Sequence, residues 1–166
     1  KIKPKEEYDI IFVTTKLYDS KKAISEIKRF GLEPKILAFI QNGLVEEGFY
    51  KDLDKNPGFV TISIFEGYRL IENQLLTTKS KLGWQTEDSD TGRKVCNYLN
   101  NAKINCSSSE KLPLLRVEKM MLVNAVGALS AIERKTLGEL AKNARTRNIT
   151  EQILKETYGV IVYQEQ

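Results

Sequence analysis

Ile10-Ile11-Phe12-Val13-Thr14-Thr15-Lys16 is an apolar run that turns abruptly polar, and Lys35-Ile36-Leu37-Ala38-Phe39-Ile40-Gln41-Asn42-Gly43 does the same about 25 residues later. Between them Asp19 reads as a helix N-cap, and Ala23, Ile24, Ile27 and Phe30 fall on one helical face. Gly31 stands at the expected C′ position and Pro34 prevents the helix from resuming. The pattern describes one strand–helix–strand unit whose two carboxyl ends lie side by side. The first strand, Ile10 to Thr15, reads as a parallel strand buried on both faces, and the second runs from Ile36 to Gln41. Open parallel sheets bind ligands at their carboxyl edge. The unit therefore points to a nucleotide or cofactor site, although no Gly-rich phosphate loop precedes it.

Working outward, a short helix is expected from Leu44 to Leu53, closed by Asn56-Pro57-Gly58. Phe59 to Phe65, Arg69 to Thr77 and Lys81 to Gln85 are short, partly alternating runs that suggest antiparallel strands added to the sheet. Ser89 or Asp90 caps an amphipathic helix through Tyr98 and Leu99, and Lys103 to Ser107 reads as a last strand. After Pro113 the character is helical. Met120 to Ile132 is apolar almost all round, as in a helix buried between two domains. Asn148 to Glu151 resembles a capping box opening a final helix. The expected fold is α/β: an incomplete Rossmann-like parallel sheet with antiparallel strands added, followed by the start of an all-helical C-terminal domain. The boundaries are 1–110 for a partial dinucleotide-binding domain and 111–166 for the start of a helical substrate or dimerisation domain.

Composition narrows the function classes. A length of 166 residues allows burial of roughly 70% of the unfolded surface, and 41% hydrophobic with 29% charged residues describes an ordinary globular protein. The net charge of +4 is mild, and basic residues alternate with acidic ones in Asp19 to Arg29 and Glu133 to Lys142, which argues against a nucleic-acid partner. Arg145-Thr146-Arg147 is the one basic knot and reads as a solvated helix junction. No apolar run approaches the ~20 residues that span a bilayer, and no charged-then-apolar leader precedes the first strand, so a cytoplasmic protein without a membrane partner is expected. There is no histidine, which removes the commonest general acid–base residue and the usual zinc ligand; no metal is expected. Cys96 and Cys106 have neither metal spacing nor a disulfide framework and read as free thiols. The abrupt start at a core strand and the helix running to Gln166 suggest the middle of a longer protein.

Four stretches together resemble the 2-dehydropantoate 2-reductases, also called ketopantoate reductases: Asp9 to Lys16 (DIIFVTTK), Ile40 to Leu44 (IQNGL), Leu82-Gly83, and Lys119 to Ile132 (KMMLVNAVGALSAI) with Leu137 to Leu140 (LGEL). Their order and spacing match across nearly the whole chain. The resemblance implies hydride transfer from NADP (NAD being the other possibility) to the ketone of a small 2-oxo acid, 2-dehydropantoate, giving pantoate for coenzyme A synthesis. Binding is implied in a cleft between the α/β domain and the helical domain that begins near Leu112, in the intact parent protein, with a homodimer as the expected assembly. The family's dinucleotide loop precedes Lys1, so the 166 residues alone should bind cofactor poorly.

On the resemblance, Lys119 is the catalytic acid that protonates the carbonyl oxygen. Burial at the edge of an apolar helix lowers a lysine pKa, while the plainer reading is a lysine that snorkels to water. Lys16, at a strand's carboxyl end, suits a cofactor ribose or phosphate; its plainer reading is a surface lysine leading a helix. Asn42 suits the nicotinamide ribose and a substrate hydroxyl, against the turn preference of Asn-Gly. With Lys119 and Ser130 aligned, the family's asparagines become Val123 and Gly127. Asn124 lies one position off and serves as a substrate-binding residue only if a local bulge recovers it. Ser130 reads as a small packing residue, Glu139 as part of a helix junction, and Trp84 as a packing residue on an outer strand. Two other function classes stay open: a related 2-oxo acid or sugar-acid dehydrogenase, and a non-catalytic dinucleotide-binding or dimerisation module.

Overall fold

The computed structural model describes residues 7–43 and 56–164, with side chains through residue 160. The helix expected from Leu44 to Leu53 lies outside the described residues. The chain divides into two compact units, Lys1–Leu112 and Pro113–Gln166.

In the first unit, β1 (Glu7–Val13) leads through a 3-10 turn (Leu17–Asp19) into α1 (Ser20–Arg29) and then β2 (Glu33–Ile40). Asp19 takes the N-cap position of α1, but its side chain makes no capping bond, because the preceding turn leaves it at φ −95 and ψ 0 rather than extended. Gly31 closes α1 in a Schellman motif: its N–H donates to the Lys28 carbonyl at 3.0 Å and the Leu32 N–H to the Ile27 carbonyl at 3.1 Å. The sheet continues with β3 (Gly58–Ile64), β6 (Trp84–Glu87) and β7 (Cys106–Ser109), in the order β1-β2-β3-β6-β7. Helix α2 (Asp90–Asn101) joins β6 to β7, and Ser89 caps it by accepting from the Gly92 N–H.

Three expectations change here. The strand buried on both faces is β2, not β1. Ile36 and Ala38 pack on the α2 side, while Leu37 and Phe39 pack on the α1 side. β1 ends the sheet among the described residues, and in it only Val13 is fully buried. Second, β3 is parallel to β2, and only the β3–β6 pairing is antiparallel within this sheet. Third, β4 (Gly67–Ile71) and β5 (Gln74–Thr78) do not join the sheet but form their own two-stranded hairpin. Glu72 and Asn73 both have positive φ there, the conformation of a tight primed turn. Along the chain the hairpin lies between β3 and β6. Trp84 is thus on an inner strand, where its Nε1–H donates to the Tyr68 hydroxyl at 2.9 Å.

The second unit holds α3 (Leu112–Glu133), α4 (Leu137–Lys142) and α5 (Ala144–Gln164). The apolar stretch of α3 is not buried all round: Ala125 and Leu129 are buried, whereas Leu122, Val123 and Ile132 are exposed. The capping box opens α4, between Thr136 and Glu139, rather than a helix at Asn148. α5 starts earlier, where the Asn143 side-chain oxygen accepts from the Arg145 and Thr146 N–H groups at 2.9 and 3.2 Å. Arg145 belongs to this helix junction, as expected, and lies 3.7 Å from Glu133. Among the described residues no helix is long and apolar enough to cross a membrane.

Candidate functional site

The register of β1 and β2 sets the geometry. Val13 pairs with Phe39, so Lys16 and Asn42 each stand three residues beyond the same rung, at the carboxyl edge of neighbouring parallel strands. Both are exposed. A cation and an amide able to donate and accept are thereby presented from adjacent turns at the edge where parallel sheets bind ligands.

What holds those turns together is Gln41, the residue that follows β2. Its amide nitrogen donates to the Thr15 carbonyl at 2.7 Å and to the Thr15 hydroxyl at 3.3 Å, and its amide oxygen accepts from the Ser20 hydroxyl at 3.0 Å. Gln41 and Ser20 are both buried. One side chain from the end of β2 thus ties down the turn after β1 and the first residue of α1. The turns also touch: a Cβ added at Gly43 would lie 3.1 Å from Leu17 Cδ2. The available signal was a glutamine ending an apolar strand, since a buried amide must find partners.

Lys119 lies in the second unit on α3, half-buried. Burial holds its ammonium below the ordinary lysine range, and the nearby Arg116 charge pushes the same way. α3 runs as an unbroken α-helix, so the bulge that would bring Asn124 beside Lys119 is absent. At 3.6 residues per turn, Asn124 sits ~140° round the helix from Lys119, whereas Val123, Gly127 and Ser130 lie on the side of Lys119. Asn124 is exposed. The Ser130 hydroxyl donates to the Lys135 carbonyl at 2.6 Å, which closes the end of α3. Glu139 serves the helix junction, accepting at 2.8 Å from the Thr136 N–H. That bond holds its carboxyl below the usual range.

Cys96 and Cys106 are both unbridged and buried, yet their sulfurs lie 2.8 Å apart across α2 and β7. Their separation along the chain gave no hint of this contact. Among the described residues, no group of His, Cys, Asp and Glu is placed to hold a metal.

Comparison with known proteins follows the same lines. The family model described as "Ketopantoate reductase PanE/ApbA" matches residues 2–80. No curated protein sequence is similar enough to match. Among solved structures, a dimeric ketopantoate reductase from Staphylococcus aureus superposes with a TM-score of 0.70 at 12% identity, over 89% of this chain and 54% of that one. A PanE/ApbA family ketopantoate reductase from Ralstonia eutropha gives 0.74 at 16%, over 95% and 52%. D-mandelate dehydrogenase, solved with NADH and anilino(oxo)acetate, gives 0.73 at 16%, over 99% and 55%. The chain therefore spans about half the length of the solved structures it matches. At these identities the likeness concerns the fold.

Proposed function

We propose that a protein carrying this chain, whose residues 2–80 match the family model of the ketopantoate reductases PanE/ApbA, reduces a small 2-oxo acid with a nicotinamide dinucleotide. The substrate of this reading is 2-dehydropantoate, the product pantoate and the cofactor NADPH. The observation that carries it is the placement of Lys16 and Asn42 three residues beyond one shared rung at the carboxyl edge, with Gln41 bracing the turns that bear them.

The exposed residues of this edge suit a dinucleotide. Lys16 offers a positive charge to phosphate or to a ribose hydroxyl, and Asn42 can donate and accept with a nicotinamide ribose and a substrate hydroxyl. The dinucleotide, when bound, supplies the hydride. Lys119 holds the proton that the carbonyl oxygen takes up as the ketone carbon is reduced. Burial favours that role, because a lysine whose pKa is lowered gives up its proton more readily. Asn124 is left out of this reading, since it lies ~140° round the unbroken α3 from Lys119.

The test is NADPH consumption with a panel of 2-oxo acids. 2-Dehydropantoate should be the best substrate, and Lys16→Ala and Asn42→Ala should each weaken NADPH binding. If neither NADPH nor NADH is bound or consumed, the enzyme reading fails and a non-catalytic module takes its place. The likeness to D-mandelate dehydrogenase supports a second reading, in which another 2-oxo acid is preferred and NADH is the donor; the same panel separates the two. A homodimer belongs to the proposal, supported by the dimeric relative, and sedimentation checks it.

A further inference from the structure

We propose that Cys96 and Cys106 form a redox-reactive dithiol, which hydrogen peroxide closes into an intrachain disulfide linking α2 to β7. The two sulfurs are only 2.8 Å apart, and a disulfide requires an approach of about 0.8 Å more. The pairing is built into the fold. Cys96 and Asn100 are four residues apart on α2 and therefore share a face. The Asn100 side chain grips the backbone of Cys106 at both polar groups: its amide nitrogen donates to the Cys106 carbonyl at 2.8 Å, and its amide oxygen accepts from the Cys106 N–H at 2.9 Å. The same helix face thus carries one thiol and holds the other against it.

The two thiols are not equivalent. A hydrogen bond with Cys106 is the main influence drawing the Cys96 thiol down, to about 7, with burial opposing and the Thr86 hydroxyl, 3.3 Å away, assisting. Cys106 is pushed up, first by its hydrogen bond to Cys96 and then by burial. Cys96 is therefore the more readily ionised thiol of the pair. Both residues are only 5% exposed, which favours a water-sized hydroperoxide over larger disulfides as the oxidant.

The chemistry closes without a further reactant. The Cys96 thiolate attacks one oxygen of the peroxide, the O–O bond breaks, and the departing hydroxide takes up the proton that Cys96 released. Cys96 is left as a sulfenic acid. The Cys106 sulfur then attacks the Cys96 sulfur, the S–O bond breaks, and a second water leaves with the thiol proton. The peroxide accepts two electrons, one from each cysteine. An external dithiol reverses the step.

The experiment is peroxide treatment of the whole protein, followed by denaturation, thiol titration and non-reducing peptide mapping. Both thiols should disappear together, a Cys96–Cys106 linked peptide pair should be found, and dithiothreitol should restore both thiols. In Cys106→Ser, the sulfenic acid should persist on Cys96 and be trapped by dimedone. The proposal is overturned if both thiols survive peroxide, if the cross-link joins two chains, or if only sulfinic acid forms. Should Cys106→Ser not fold, the unsubstituted protein's peptide map decides alone.

Discussion

The Ser20 hydroxyl donates to the Gln41 amide oxygen at 3.0 Å, joining the first residue of α1 to the end of β2 beneath the carboxyl edge. Because Gln41 also donates to the Thr15 carbonyl, two turns that carry exposed candidate residues share one buried brace.

Gln41→Leu should destabilise the protein by about 1–3 kcal/mol, since it leaves a buried hydroxyl and a backbone carbonyl without their partner. Urea unfolding measures the cost. NADPH affinity should fall as well, although Gln41 is not itself proposed to touch the cofactor. A variant with normal stability and normal affinity would show that the turns hold their geometry without it.

Lys119→Ala should lower kcat by roughly 100- to 10,000-fold while NADPH binding stays near normal. Asn124→Ala should change kcat little, because α3 turns that residue away from Lys119. Equal losses in both variants would mean that the helix acts through its packing rather than through one ammonium.

The lowered pKa of Lys119 also carries a sign. Between its folded value and the ordinary lysine value of about 10.4, the unfolded chain binds more protons than the folded one, so stability should rise with pH across that window. Turnover should fall across the folded pKa, as the acid is lost. Lys119→Met should remove this rise in stability, which pH-dependent unfolding can measure.

Gly83 and Gly127 should respond in opposite ways to alanine. Gly83 has φ +57, and an added Cβ would meet the Asn105 side-chain nitrogen and backbone oxygen at 2.7 Å. Gly83→Ala should therefore cost more than the ~1–2 kcal/mol of left-handed backbone strain alone. Gly127 lies within α3 with nothing within 4 Å of an added Cβ, so Gly127→Ala should stabilise by about 0.5–1 kcal/mol. Thermal unfolding of the two variants distinguishes steric need from tolerance.

Thr136→Ala should cost about 1 kcal/mol by removing the capping box of α4. The Glu139 carboxyl, held low first by the Thr136 N–H, contributes stability present above the unfolded glutamate value and lost as pH falls through the folded one. Glu139→Gln should flatten that acid-side decline in an unfolding series.

Much of the first unit could be read along the chain because its signals are local. The apolar runs of β1 and β2, the face of α1 and the glycine after it are separated by spacings that local backbone geometry dictates. The positions of Lys16 and Asn42 followed from the same pattern, since residues just beyond two neighbouring parallel strands must share an edge. Glu139 was legible as part of a helix junction, but its capping box with Thr136 was not, since Asn148 to Glu151 carries a similar local pattern.

The remainder depended on which segments meet. An apolar strand can be central or terminal, and only pairing made β2 the doubly covered one and left β1 at the end of the sheet. The short, partly alternating runs from Phe59 onward carried no mark distinguishing a parallel partner from an antiparallel one, or a sheet strand from a free hairpin. Cys96 and Cys106 have an uninformative separation in sequence; packing of α2 on β7 brought their sulfurs together. Gln41 could be recognised as a brace only once Thr15 and Ser20 were beside it. Sequence alone thus determined the elements whose signals lie within a few residues, while tertiary structure decided every relationship created by distant segments packing, where burial and hydrogen-bond partners are set.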